Sequence, residues 1–117
     1  MWPARWRCYA PCPHAAACPL VEPDWCHFSR RVARSRAHLS AKDAEVPWED
    51  EKFVYLAVSR EAAALPEARV IAQPRIGSGK AAPKLCSADG TARTELITRL
   101  QGDRFRAARR AEWGDVF

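Results

Sequence analysis

Residues 11–28 read PCPHAAACPLVEPDWCHF, and the way this stretch is held decides the fold around it. Pro11, Pro13, Pro19 and Pro23, with Pro3 ahead of them, forbid a helix over residues 1–23, because each ring removes a backbone donor and fixes φ. Such a segment must be held by something other than backbone ladders. Cys12, Cys18 and Cys26 stand in it at C-x5-C-x7-C spacing, and Cys86 lies 60 residues beyond Cys26. Zinc modules present paired thiolates from loops of two to four residues, so these spacings are loose for one tetrahedral ion. A four-iron cluster takes four thiolates at separate corners and tolerates wider loops and a distant fourth ligand. Three readings stay open on the residues alone: a [4Fe-4S] cluster on Cys12, Cys18, Cys26 and Cys86, a zinc ion on Cys with His14 or His27, or four inert thiols packed as small apolar side chains. Cys8, four residues before Cys12, is a spare thiol.

The rest of the chain gives reason to need such a centre. At 117 residues it has room for one domain and a modest core. Of the apolar residues 22 are Ala, while Leu, Ile, Val and Phe number 21, about 18% of the chain and under the level at which a core sustains itself. A centre joining Cys26 to Cys86 would close a loop worth about 4 kcal/mol by analogy with a disulfide. Nineteen basic against fourteen acidic residues give +5, and 15 of the basic residues are Arg. Arg suits phosphate and base stacking, although a GC-rich genome would write the same bias. No apolar run reaches eighteen residues and the start, Met1-Trp2-Pro3-Ala4-Arg5, lacks the apolar stretch of a signal peptide, so the expectation is a cytoplasmic chain without membrane or disulfide framework.

Working outward, the spacing of Phe28, Val32, Ser35 and Leu39 predicts a helix over residues 25–39, capped by Asp24, with Arg30, Arg31, Arg34 and Arg36 exposed. An acidic linker carrying Asp43, Glu45, Glu49, Asp50 and Glu51 follows. Residues 52–58 then read as a strand covered on both faces. After a loop at 61–68 a second strand is expected at 69–73, with Pro74 at a sheet edge. Residues 83–98 read as a β-hairpin that turns at Ser87-Ala88-Asp89-Gly90. A closing helix over 104–113, capped by Asp103 and stopped by Gly114, exposes Arg104, Arg106, Arg109 and Arg110. The fold class is therefore mixed α/β: a Pro/Cys-rich segment with a basic helix at 1–40, and strand, hairpin and basic helix at 41–117, together one domain. The eight Arg of the two helices are the candidate RNA-binding residues, with Trp2, Trp6 or Trp48 available for stacking.

Other signals carry less. Gly77-Ser78-Gly79-Lys80 lacks the Gly and Ser/Thr of a phosphate loop, since position 74 is Pro and 81 is Ala, and reads as a polar loop between strands. His14, His27 and His38 have no nucleophile and acid in catalytic relation, so no catalytic residue is assigned. The acidic run lacks the alternation of a calcium loop.

Several blocks in order resemble one family. They are Tyr9-Ala10-Pro11-Cys12-Pro13-His14, Ala17-Cys18-Pro19-Leu20, Asp24-Trp25-Cys26-His27-Phe28-Ser29, residues 51–60, Leu85-Cys86-Ser87-Ala88-Asp89-Gly90 and Trp113-Gly114-Asp115. Over residues 9–115 the chain is similar to the methyltransferase-like proteins of small ribosomal subunit assembly, bacterial and mitochondrial. The resemblance implies that the four Cys ligate a [4Fe-4S] cluster, that the partners are small-subunit ribosomal RNA and the assembling subunit, and that the location is cytoplasmic in bacteria and mitochondrial in eukaryotic relatives. It also implies the tail half of a Rossmann-like methyltransferase fold. The Gly-rich loop that binds S-adenosylmethionine in that family is missing from these residues, so the cofactor is expected only in a full-length relative and a separate amino-terminal methyltransferase domain becomes a possible partner.

Overall fold

Among residues 6–41, 45–61 and 64–117, which the computed structural model describes, short strands dominate and group into four small antiparallel sheets. β1 (Arg7–Ala10) pairs with β4 (Ala57–Ser59), and β2 (Phe28–Ala33) pairs with β3 (Trp48–Phe53). β5 (Ala68–Val70), β8 (Lys84–Ser87) and β9 (Ala92–Thr94) form a third sheet in the order 5-8-9. β6 (Arg75–Gly77), β7 (Lys80–Ala82) and β10 (Ile97–Thr98) form the fourth, in the order 10-7-6. A short helix α1 (Arg36–Ala41) follows β2, and α2 (Asp103–Arg110) closes the chain. The expected mix of helix and strand is observed. Its pairings among the described residues are all antiparallel, so a Rossmann-like half enters only through the resemblance.

The packed interior belongs to the rear of the chain. Phe105 and Ala108, three residues apart and so on one face of α2, cover Ala81 and Ile97 from β7 and β10. Ala68, Val70 and Leu85 make a second patch between β5 and β8, and Phe117 packs against both. The tail reaches there because Val70 N–H donates to Asp115 O and Phe117 N–H to Ala68 O, both at 2.9 Å, which adds the tail to the edge of β5. The radius of gyration is 17.2 Å, against about 13 Å for a compact chain of this length.

The helix expected over residues 25–39 is replaced by β2, an irregular link and α1. The register explains it. Arg30 faces Glu51 and Arg31 faces Asp50, and each opposite-charge pair across a ladder contributes roughly 0.2–1 kcal/mol, whereas a helix would stack Arg30 over Arg34. The acidic stretch from Trp48 onward is therefore no linker but the partner strand that neutralises the Arg run; Asp43 and Trp2 lie outside the described residues.

The strand expected at 52–58 is also divided. Phe53 ends β3 and Ala57 starts β4, because the two halves pair with different partners, and Val54 and Leu56 between them are 66% and 55% exposed rather than covered. The hairpin at residues 83–98 forms, but only as far as Thr94. Ile97 crosses to pair with β7 and becomes fully buried. Gly102, not Asp103, caps α2, and the helix stops at Arg110, which leaves Trp113 free for another contact. Ser78 and Gly79 make the tight turn between β6 and β7, with Gly79 at φ +69°, so the phosphate-loop resemblance is a hairpin turn.

Replacing Ile97 with Ala should cost about 2–5 kcal/mol and lower the urea midpoint clearly. Leu100→Ala, at a side chain 97% exposed, should leave the midpoint within error.

Candidate metal centre

Residues 11–28 have almost no regular structure, and groups from the rear of the chain fix them in place. Arg69 of β5 is buried, its Nε donating to Pro11 O at 2.6 Å and its Nη1 to Gly114 O at 2.9 Å. Among the described residues no carboxylate pairs with this guanidinium. Trp113 Nε1 donates to His27 O at 3.0 Å, and Lys84 of β8 forms an ion pair with Asp24 that holds the Asp24 carboxyl below the usual carboxylate range. The β8–β9 turn closes on the same loop. Gly90 has φ +86°, and a Cβ there would lie 3.4 Å from Ala16 Cβ and 4.0 Å from His14 Nδ1.

The thiols gather where these ties meet. Cys86 is buried in β8, Cys12 and Cys26 are half-buried, and Cys18 is exposed. Burial pushes the Cys12 and Cys26 thiols up and the Cys86 thiol up to about 11. Repulsion from neighbouring thiolates adds to each: Cys86 is affected by Cys12, Cys26 and Cys18, and Cys26 by Cys12 and Cys18. The four sulfurs predicted from the sequence thus share one electrostatic neighbourhood. Cys8 reaches it only through Cys12, and its own thiol points to Ala10 O at 3.4 Å.

Among the described residues no three His, Cys, Asp or Glu converge tightly enough to grip one metal ion. Tetrahedral zinc needs sulfurs about 3.8 Å apart, given Zn–S bonds near 2.3 Å. The four thiols influence one another electrostatically without converging on the position of a single ion. The nearby charge favours negatively charged sulfur, since Arg69 is a buried cation that pairs with no carboxylate among the described residues and acts to lower Cys12.

The histidines bear on the zinc alternative. His14 is buried, and its Nδ1 accepts from the Ala16 N–H at 3.1 Å, so the ring proton sits on Nε2, which lies 3.5 Å from Cys86 Sγ. A protonated nitrogen has no lone pair for a metal. His27 Nδ1 donates to Trp25 O at 3.1 Å, which leaves its Nε2 open, and the ring lies between Trp25 and Trp113 at centroid distances of 3.9 and 5.1 Å.

A polar groove of about 870 Å³ is lined by the cations Arg30, Arg31 and Lys52, the acids Asp50 and Glu112, and Ser29, Gln73 and Trp113. Lys52 Nζ stands 4.8 Å over the Trp113 ring and donates to Ser29 Oγ at 3.2 Å. Arg31 lies 3.5 Å over Trp48 while its fork holds Asp50, whose carboxyl is held below its usual range by that bond. Arg30 is exposed and faces Glu51 across the ladder, with no direct ion pair among the described residues. Arg34 pairs with Glu49 at 3.4 Å, and Arg36 starts α1. On α2, Arg104 pairs with Glu95 at 2.7 Å and Arg106 with Asp103, while Arg106, Arg109 and Arg110 line a second cleft. Sequence reasoning missed Lys52, Trp113 and Arg69, because each matters through a partner 23 or more positions away; His14 was singled out only as an alternative zinc ligand, and its contact with Cys86 was not foreseen.

In metal-free protein alkylated at pH 8, exposed Cys18 should react first and Cys86 last, because about a thousandth of Cys86 is thiolate there against about a quarter of an ordinary thiol. Mass spectrometry of the labelled peptides reads the order, and equal rates at all four would contradict this arrangement.

A comparison with curated proteins returns no match. The Cys blocks, the hairpin that carries Cys86 and the closing Trp-Gly-Asp all fall inside residues 3–117, which match the family described as mitochondrial small ribosomal subunit Rsm22, and the chain belongs to that family.

Proposed function

We propose that this chain is the cluster-holding, RNA-contacting portion of a small-ribosomal-subunit assembly factor. The family supports a role connected with the small subunit. The observation that carries the finer reading is the gathering of four thiols from two distant parts of the chain beside a buried, carboxylate-free Arg69. In this reading Cys12, Cys18, Cys26 and Cys86 hold a [4Fe-4S] cluster, which when bound supplies an anionic cross-link between front and rear. Arg69 orients the Cys12 loop and offsets negative charge, Trp113 fixes the Cys26-His27 backbone, and Lys84 holds Asp24.

The groove, where three cations outnumber two acids, lies between the front hairpin and the rear tail and would take ribosomal RNA. Its chemistry favours single strands: Arg30 and Lys52 for phosphates, Trp113 and the Arg31-covered Trp48 as flat surfaces for bases. Arg36, Arg109 and Arg110 extend the positive field, whereas Arg34, Arg104 and Arg106 are already engaged with carboxylates. The reading is of a binding module. A methyltransferase would need an S-adenosylmethionine-binding domain in addition to these residues, and the cellular setting would be the mitochondrion in eukaryotes and the cytoplasm in bacteria.

Protein purified without oxygen should contain iron and acid-labile sulfide in equal amounts, about four of each per chain. Cys12→Ser and Cys86→Ser should lose them and Cys8→Ser should keep them; one zinc and no sulfide would overturn the cluster. For binding to a single-stranded small-subunit RNA fragment, Arg30→Ala should weaken affinity and reduce the salt slope by about 1. Arg104→Ala, already paired with Glu95, should change little, and equal effects of the two would remove the groove from the account.

A further inference from the structure

We infer that His14 is a positioning residue of the cluster, its Nε2–H donating to Cys86 Sγ and thereby setting the reduction potential; this rests on the cluster reading above. Three observations carry it. Ala16 N–H can only donate, so its 3.1 Å bond to His14 Nδ1 leaves the ring proton on the nitrogen that faces sulfur. The donor is caged: Pro13 before it is fully buried, and the Gly90 turn lies against Nδ1 and Ala16. The acceptor is equally fixed, since Cys86 is the central residue of a three-stranded ladder with Arg69 on one side and Ala92 on the other.

A hydrogen bond costs little here to keep and has a directional consequence. Were a [4Fe-4S] centre held by these thiols, one electron from a reductant such as dithionite would put more negative charge on the thiolate sulfurs, with no bond broken and no proton transferred. An N–H aimed at one of those sulfurs is then worth more in the reduced state than in the oxidised one. His14 therefore favours reduction. A purely structural histidine, satisfied by Ala16 and packed under Gly90, would have no such effect.

The test uses the whole chain, purified without oxygen and reduced with dithionite. With histidine labelled by ¹⁵N, pulsed electron paramagnetic resonance of the reduced wild type should show one weak ¹⁵N coupling, absent from His14→Phe and present when His27 is replaced by Phe. In His14→Phe loaded to wild-type iron and sulfide, the one-electron reduction constant should fall about tenfold, which is about 59 mV more negative. His14→Gln, which keeps an N–H donor, should recover part of that shift. A cluster-loaded wild type without the coupling overturns the inference and leaves the cluster reading intact, as does an unchanged potential in loaded His14→Phe. If His14→Phe does not load, the wild-type coupling alone decides. A wild type lacking iron and sulfide overturns the cluster reading itself.

Discussion

The guanidinium of Arg69 joins two segments that nothing else in the backbone brings together. From a buried position in β5 it donates to the carbonyl of Pro11, one residue before the first Cys of the array, and to the carbonyl of Gly114, three residues from the end. A buried Arg costs several kcal/mol to desolvate unless negative charge or good acceptors surround it. Two carbonyls take two of its five N–H groups, and among the described residues no carboxylate pairs with its charge.

The other ties act in the same direction. Trp113 on the His27 carbonyl, Lys84 on Asp24 and Gly90 against Ala16 each join a residue of the Pro-rich front to the rear sheets. The front buries little beyond Pro13, His14 and Phe28, whereas Ile97, Phe105, Val70 and Leu85 form connected clusters in the rear. The rear is thus the scaffold and the front is the layer it carries. The basic groove lies where they meet, with Arg30 and Arg31 from the front hairpin and Trp113 from the rear tail.

Charge is distributed with economy along that hairpin. Acids in β3 hold Arg31 and Arg34 of the preceding stretch in ion pairs, which stabilises the ladder, while Arg30 and Lys52 line the groove without a direct ion pair among the described residues. A net charge of +5 therefore overstates how many of the 15 Arg are available to a polyanion, since several are held by Glu49, Asp50, Glu95 and Asp103.

Cysteine and proline chemistry is local, so part of the fold could be read directly: the Pro-rich front without helix, the turn at Asp89 and Gly90 and the strand after Glu67 all followed from residue type and spacing. The helix expected over residues 25–39 did not, because a period-matched stretch with four Arg is helical only when no acidic strand lies across from it, and that strand is 20 residues further on. Val54 and Leu56 look buried by composition yet stand exposed, since burial depends on which partner each half of the segment finds. The sequence by itself determined which atoms can ligate and which can carry charge. Tertiary structure alone decided that Arg69 reaches Pro11, that the proton of His14 faces Cys86, and that Trp113 stands beside Lys52, because hydrogen-bond direction and burial are properties of positions in space that residue order does not encode.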